Sequence, residues 1–263
     1  MHTETILKTV SIIGSGNVAH ILGGGLHKAG LKIEAVYSRN AIKARELAIA
    51  LNSIPVDHPE ALPLNSDLYL IMVSDNAIKE VCGMMADVKG LVAHSSGTAG
   101  LAMLTRFSRS GVFYPLQTLS GGLEIPFSQI PFLIEANNHT DEASLMEIAH
   151  LLGSETWHVN SQQRQKIHLA AVFVNNFSNY LYRIAEQLMK EDGLPLEMLK
   201  PLIIQTANKI NRASPQLMQT GPAKRGDSET SAKHIELLRS FPEYQKLYEM
   251  MSGMILSSEL KKS

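Results

Sequence analysis

Apolar positions fall into two regimes along the chain. From Thr9 to about Val159, short runs rich in β-branched residues alternate with amphipathic segments. The runs are Val10 to Ile13, Ile33 to Ser38, Leu68 to Val73, Leu91 to His94, Val112 to Tyr114 and Phe132 to Glu135. Ala41 to Leu51 and Asn76 to Ala86 are examples of the segments between them. Strands alternating with helices in this way imply βαβ units and a mostly parallel sheet. The runs are almost wholly apolar, as strands covered on both faces should be.

After about Asn160 the period changes. Gln162 to Lys190 predicts one long helix without internal glycine or proline. Gly193 and Pro195 break it, and Leu196 to Asn211 resumes it. A polar stretch, Ala213 to Asp227, precedes a final helical region from roughly Glu229 to Leu260 that is interrupted at Pro242. The expected organisation is an α/β domain over 1–159 and an all-helical domain over 160–263, with no internal repeat.

Composition then removes several function classes. The 263 residues hold 24 Lys and Arg against 25 Asp and Glu, a net charge of -1. No basic stripe is present, so no nucleic-acid partner is expected. The strongest apolar runs, such as Leu68 to Val73, fall far short of the roughly 20 residues that span a bilayer. No membrane association is expected. Met1 to Val10 carries Glu4 and Lys8 and has no apolar core, so no export signal is read there, and a cytoplasmic protein is expected. Cys82 is the single cysteine, which excludes an intramolecular disulfide and a multi-cysteine zinc site. The ten histidines show no HExxH pattern or other ligand spacing, so no metal is expected.

The first strand runs directly into Gly14-Ser15-Gly16-Asn17-Val18-Ala19, followed by a helix to about Lys28. Gly14 permits a tight turn, Gly16 lets the backbone approach a pyrophosphate, and Ala19 allows close helix packing. The anion would rest on the amides of Asn17 and Val18 at the helix N-terminus. This reads as the dinucleotide fingerprint of a Rossmann domain, with a glycine turn in another α/β fold as the competing reading. The end of the second strand reads Val36-Tyr37-Ser38-Arg39-Asn40, without the acid that holds a ribose hydroxyl in NAD sites. Glu34 comes too early for that role. Ser38 and Arg39 suit a 2′-phosphate, so NADP is the expected cofactor. The competing reading leaves Arg39 as a solvated loop charge.

Ligands of such sheets lie beyond the C-terminal strand ends. Ser74 follows one strand and could line the cofactor cleft, with Asp75 as helix N-cap. His94-Ser95-Ser96-Gly97 follows the next, placing a histidine and two hydroxyls where cofactor and substrate would meet. Tyr114-Pro115-Leu116-Gln117-Thr118 follows a third. A serine hydrolase is not supported, because no GxSxG elbow is present. On the long helix His168, Asn175 and Asn179 fall at i, i+7 and i+11 and would share one face. They could form a site lip, or a hydrogen-bonded interface between helices or subunits, and Asn176 is an alternative to Asn175. In Thr220 to Asp227, Arg225 could grip a carboxylate and Asp227 could orient it or cap the next helix; an exposed connector is the competing reading.

Together, the Rossmann fingerprint, the His-Ser-Ser-Gly and Tyr-Pro-Leu-Gln-Thr segments and the Thr-Gly-Pro…Arg-Gly-Asp loop resemble a family of NADP oxidoreductases whose helical C-terminal domain is of unknown function. The architecture is similar to that of pyrroline-5-carboxylate reductases, prephenate dehydrogenases, and the 6-phosphogluconate and 3-hydroxyisobutyrate dehydrogenases. The resemblance implies a site in the cleft between the domains and a homodimer built through the helical part. It also implies that Gly14, Gly16, Ser38 and Arg39 bind cofactor and that His94, Ser95 and Ser96 lie near the nicotinamide. Hydroxyacid dehydrogenases of this group carry a lysine four residues before an asparagine on the first long helix. Here Ala171 precedes Asn175 and Val172 precedes Asn176, so that lysine is absent, and His168 stands one turn earlier.

The expected activity is hydride transfer between NADPH and a small carbonyl or imine compound. His168 would move the proton. Ser96 and Asn175 would hold the reacting atom, Ser95 would face the substrate, and Arg225 would anchor an anionic tail. The alternative is a non-catalytic NADP-binding sensor or partner-binding protein.

Overall fold

The structure, a computed structural model, describes residues 7–120 and 125–260, the side chain of residue 260 excepted. Glu4, part of the N-terminal reading above, lies outside the described residues. The chain divides into two compact units, the first ending at Val174 and the second beginning at Asn175.

In the first unit, apolar runs become strands and the segments between them become helices. β1 (Thr9–Ile13), α1 (Asn17–Lys28), β2 (Lys32–Tyr37), α2 (Ala41–Ala50) and β3 (Ile54–Val56) form one half of the sheet. β4 (Leu68–Ile71), α3 (Asp75–Met84), β5 (Leu91–His94), β6 (Ser110–Pro115), β7 (Phe132–Ala136), α4 (His139–Leu151) and β8 (Thr156–His158) form the other. The strand order is β3-β2-β1-β4-β5-β6-β7-β8. All pairs are parallel except β6 with β7. The order reverses between β1 and β4, the switch point where open α/β sheets bind ligands.

Alternation within strands sends side chains to two cores. Val10, Ile12, Leu68 and Leu70 pack on one face with Leu22 and Leu26 of α1 and Leu145 of α4. Ile13, Tyr69 and Ile71 pack on the other with Ile78 and Val81 of α3. Each fully buried Leu or Ile contributes about 1.5–3 kcal/mol, so burial on two faces holds the sheet rigid. Ser11 is the polar exception in β1, fully buried and hydrogen-bonded to Ser66 Oγ at 2.8 Å. Two strands escaped the sequence reading. β3 contains Pro55 and β8 holds an exposed Trp157; both are three-residue edge strands, too short for a period.

Helix α5 (Ser161–Ala171) completes the first unit's secondary structure and starts at a capping box of Asn160 and Gln163. Helical structure continues to Glu191, but Val172–Phe177 is π-helical and separates α5 from α6 (Ser178–Glu191).

The second unit comprises α6, α7 (Lys200–Lys209), the short α8 (Pro215–Met218) and α9 (Pro222–Arg225), α10 (Ser228–Leu237) and α11 (Pro242–Leu260). The polar stretch from 213 to 227 thus holds two helical turns, and Pro242 opens the last helix as the sequence indicated. Asp227 caps α10, accepting from Thr230 N at 3.0 Å. Leu238 is the one buried hydrophobic side chain among the described residues of this unit.

Candidate active site

The loop after β1 is built around two glycines with different tasks. Gly14 has φ +129°, and a Cβ there would lie 2.2 Å from the Met72 carbonyl oxygen, so no other residue fits the crossing of β1 and β4. Gly16 is the N-cap of α1; a Cβ on it would meet nothing within 4 Å. The space before the helix is therefore open, and no side chain caps its first turn, where Asn17 is exposed and Val18 half-buried. Amides left at a helix N-terminus beside open space fit a pyrophosphate.

The end of β2 completes this cradle. Ser38 Oγ accepts from Ser15 Oγ at 2.7 Å and from Asn40 N at 3.3 Å, which leaves its own hydroxyl proton for an outside acceptor. Arg39 is exposed and makes no ion pair among the described residues. Glu34 is engaged elsewhere, accepting from Ser66 Oγ at 2.6 Å and pairing with Lys32 at 3.3 Å. Ser74 is exposed at the start of α3. It, not Asp75, is the N-cap, because the helix begins one residue earlier than the sequence suggested. Asp75 instead accepts a hydrogen bond from Thr98 Oγ1.

The His-Ser-Ser-Gly segment turns out to be a locked loop. His94 ends β5 with no exposed surface, and its Nδ1 accepts from Ser96 N at 3.2 Å. Its tautomer therefore carries the proton on Nε2, which is buried without a hydrogen-bond partner among the described residues. Burial, with the Arg164 charge second, pushes the His94 pKa down to about 4. A neutral, enclosed imidazole offers no surface to a ligand; it holds the turn. Ser96 is also buried, its Oγ accepting from Thr98 N at 3.1 Å and Ala99 N at 2.9 Å. Ser95 is half-buried, its amide bonded to Ile71 O at 3.1 Å. Ser96 thus ties this turn through its acceptor lone pairs.

What this loop presents is Gly97. A Cβ there would come 2.5 Å from His168 Nδ1 and 2.9 Å from Tyr114 Cζ. Tyr114, on β6, makes a 2.9 Å hydrogen bond between its Oη and His168 Nδ1, with the rings 6.0 Å apart and edge-on at 63°. Burial raises the tyrosine pKa, with Arg164 opposing it.

Residues beneath the pair fasten α5 to the sheet. Arg164 is fully enclosed and pairs with Glu135 of β7, while also donating to the Ala99 carbonyl. Glu135 accepts from Ser161 N at 3.0 Å and Ser161 Oγ at 2.8 Å. Gln165 Nε2 donates to Thr98 O at 2.8 Å. Tyr114 had no assigned role in the sequence, and Arg164 and Glu135 were not singled out at all. The capping box at Asn160 was the one local signal of a fixed helix start.

Val172–Phe177, which carries Asn175 and Asn176, is π-helical rather than α-helical. Asn175, Asn176 and Asn179 are exposed. Arg225 is exposed at the end of α9, 4.0 Å from Asp227 Oδ2. Among the described residues no cluster of His, Cys, Asp or Glu could hold a metal ion, and no helix is long and apolar enough to cross a membrane.

A parallel sheet with a two-glycine turn at its switch point and an open helix N-terminus defines the dinucleotide-binding class of α/β proteins. Residues 9–94 match the family described as NADP oxidoreductase coenzyme F420-dependent, and residues 130–255 match a domain of unknown function, DUF2520. A Bacteroides fragilis protein described as "putative NADP oxidoreductase" is 34% identical, over 95% of this chain and 98% of that one, with a TM-score of 0.86. The chain belongs to this NADP oxidoreductase family. A reductive aminase from Aspergillus terreus, solved with NADPH4, shares the fold at 13% identity, over 98% of this chain and 95% of that one, with a TM-score of 0.71. So does a 1-pyrroline-5-carboxylate reductase from Streptococcus pyogenes, at 15% identity, 95% and 98% coverage and a TM-score of 0.62. No curated protein matches the chain.

Proposed function

We propose that the protein transfers a hydride between NADPH and a small carbonyl or imine compound, with His168 exchanging the proton. The observation that carries this reading is a shared edge. The cradle of Gly14 and Gly16 follows the C-terminal end of β1, and Gly97 and Tyr114 lie at the same ends of β5 and β6. Strands are spaced about 4.8 Å apart, so the pair stands about 10–15 Å along the edge from the cradle, within the span of a dinucleotide lying across the switch point.

In this reading the amides of Asn17 and Val18 hold the pyrophosphate, and Ser38 and Arg39 receive the 2′-phosphate. NADPH supplies the hydride when bound. Imidazole is the side chain whose ordinary pKa lies nearest neutrality, which suits proton exchange in either direction. Solved proteins of the same fold include a reductive aminase, an imine reductase and pyrroline-5-carboxylate reductases, and these keep C=N compounds beside carbonyls in the substrate class.

We also propose a homodimer formed through the second unit. Met198, Leu202, Ile204, Leu217 and Met254 are each at least 57% exposed, and Leu238 alone is buried. That much apolar surface calls for a covering partner. Light scattering of the purified protein at twice the chain's 28.9 kDa is the expected result.

The test of activity is NADPH consumption against a panel of small aldehydes, ketones and cyclic imines. Turnover of any member that is lost in His168→Gln supports the reading. Tight NADPH binding with no turnover across the panel would favour a sensor instead.

A further inference from the structure

We propose that Tyr114 is a positioning residue that fixes His168 by its Nδ1, so that Nε2 is the atom that exchanges the proton with substrate. The proposal rests on the reductase reading above. Two observations within the first unit converge on it. Tyr114 Oη and His168 Nδ1 are 2.9 Å apart, a full hydrogen bond. Gly97 lies against the same nitrogen, where even a methyl group would come within 2.5 Å. Nδ1 is thus closed to a substrate by the phenol and by the Gly97 backbone.

The seat itself does not yield. The loop carrying Gly97 is tied by the Ser96 hydroxyl to the amides of Thr98 and Ala99 and by Arg164 to the Ala99 carbonyl. The helix carrying His168 is tied by the same Arg164 and by Gln165 to that loop. Both sides of the contact therefore belong to one bonded block. This gives the His-Ser-Ser-Gly segment its function: it is the floor on which the imidazole rests, and its glycine is the point of contact. A ring fixed by one nitrogen presents the other, as in any histidine oriented by a partner.

The chemistry is balanced with His168 entering as the imidazolium. The substrate carbon accepts the hydride, and the substrate oxygen or nitrogen takes the proton from Nε2. The Nε2–H bond breaks and its electron pair stays on the ring. The imidazole is left neutral, with its remaining proton on Nδ1 donated to Tyr114 Oη. The substrate is reduced by two electrons and NADPH is oxidised to NADP+. Running the steps backward takes the proton up on Nε2. The charged groups acting on the Tyr114 hydroxyl are Arg164 on α5 and Asp75 at the start of α3.

Tyr114→Phe keeps the ring and removes the hydroxyl, and it is read in two ways on the full-length protein. The first needs no substrate: imidazole nitrogen NMR of the cofactor-free protein across the neutral pH range. The variant should lose the fixed Nδ1 tautomer pattern of His168 and shift its titration midpoint. The second is kinetic. With NADPH affinity unchanged, kcat should fall about 10- to 100-fold, the usual loss when a histidine's orienting partner is removed, and the pH limb of kcat should move with the NMR midpoint. Gly97→Ala, whose methyl would press on Nδ1 and on the Tyr114 ring together, should give the same signature. Unchanged spectra in Tyr114→Phe, or changed spectra with wild-type kcat and pH profile, overturn the positioning role. A wild-type protein that reduces nothing overturns the reductase reading, and with it the assignment of Nε2 to chemistry, a failure distinguishable from the others because it precedes any variant.

Discussion

Arg164 and Glu135 form an ion pair in which the arginine side chain has no exposed surface and the glutamate only 14%. Burying a guanidinium is costly unless its charge and its donors are matched. Here the charge is matched by Glu135 and two further acceptors are the Ala99 carbonyl and Ser161 Oγ. The arrangement joins a helix to a sheet and a loop at a single cation.

Removing the carboxylate charge alone should therefore be severe. Glu135→Gln leaves Arg164 buried without a counter-charge, and we expect a loss of about 3–5 kcal/mol in stability. Adding Arg164→Met should recover part of that loss, since the buried cation goes with it. Urea denaturation of the single and double variants measures both. A single variant within about 1 kcal/mol of wild type would mean that water reaches the guanidinium.

The sheet was legible because its strands are apolar on both faces, and Gly14 and Gly16 were legible because their spacing belongs to a local turn. Tyr114, Arg164 and Glu135 were not, for a shared reason. Each works through a partner distant in sequence: Tyr114 through His168, Arg164 through Glu135 and Ala99. Nothing local distinguishes a buried arginine in the first turn of a polar helix from a solvated one. The structural bonds of His94 and Ser96 were hidden for the converse reason. A histidine and two serines at a strand end look like chemistry, yet backbone amides in the next turn had already claimed their acceptors. The π-helical segment was equally hidden, since Val172 to Phe177 carries no proline or glycine to mark it.

Arg39 is expected to select the cofactor. It is exposed, unpaired among the described residues and adjacent to Ser38. A charge-assisted hydrogen bond to a phosphate is worth about 1.5–3 kcal/mol. Arg39→Ala should thus weaken NADPH binding by about 10- to 100-fold and leave NADH binding unchanged, as read by calorimetric titration. Added salt should weaken NADPH binding in the wild type more than in the variant. Equal losses for both nucleotides would show that Arg39 serves the loop and not the 2′-phosphate.

The buried His94 makes stability depend on pH in a defined window. Folded, its pKa lies at about 4, lowered first by burial and then by the Arg164 charge; unfolded, it returns to about 6.5. Between those values the unfolded chain binds the proton and the folded one does not, so stability must fall as pH falls. The contribution is complete above pH 6.5 and is lost on the way down to pH 4, below which both states are protonated. The loss amounts to about 3 kcal/mol. His94→Asn keeps an acceptor near the Ser96 amide and cannot titrate. It should be less stable than wild type at neutral pH, yet show a shallower decline through the same window. Urea midpoints measured from neutral to mildly acid pH decide it: parallel declines in the two proteins would place the acid sensitivity elsewhere, whereas converging curves would trace it to this one imidazole.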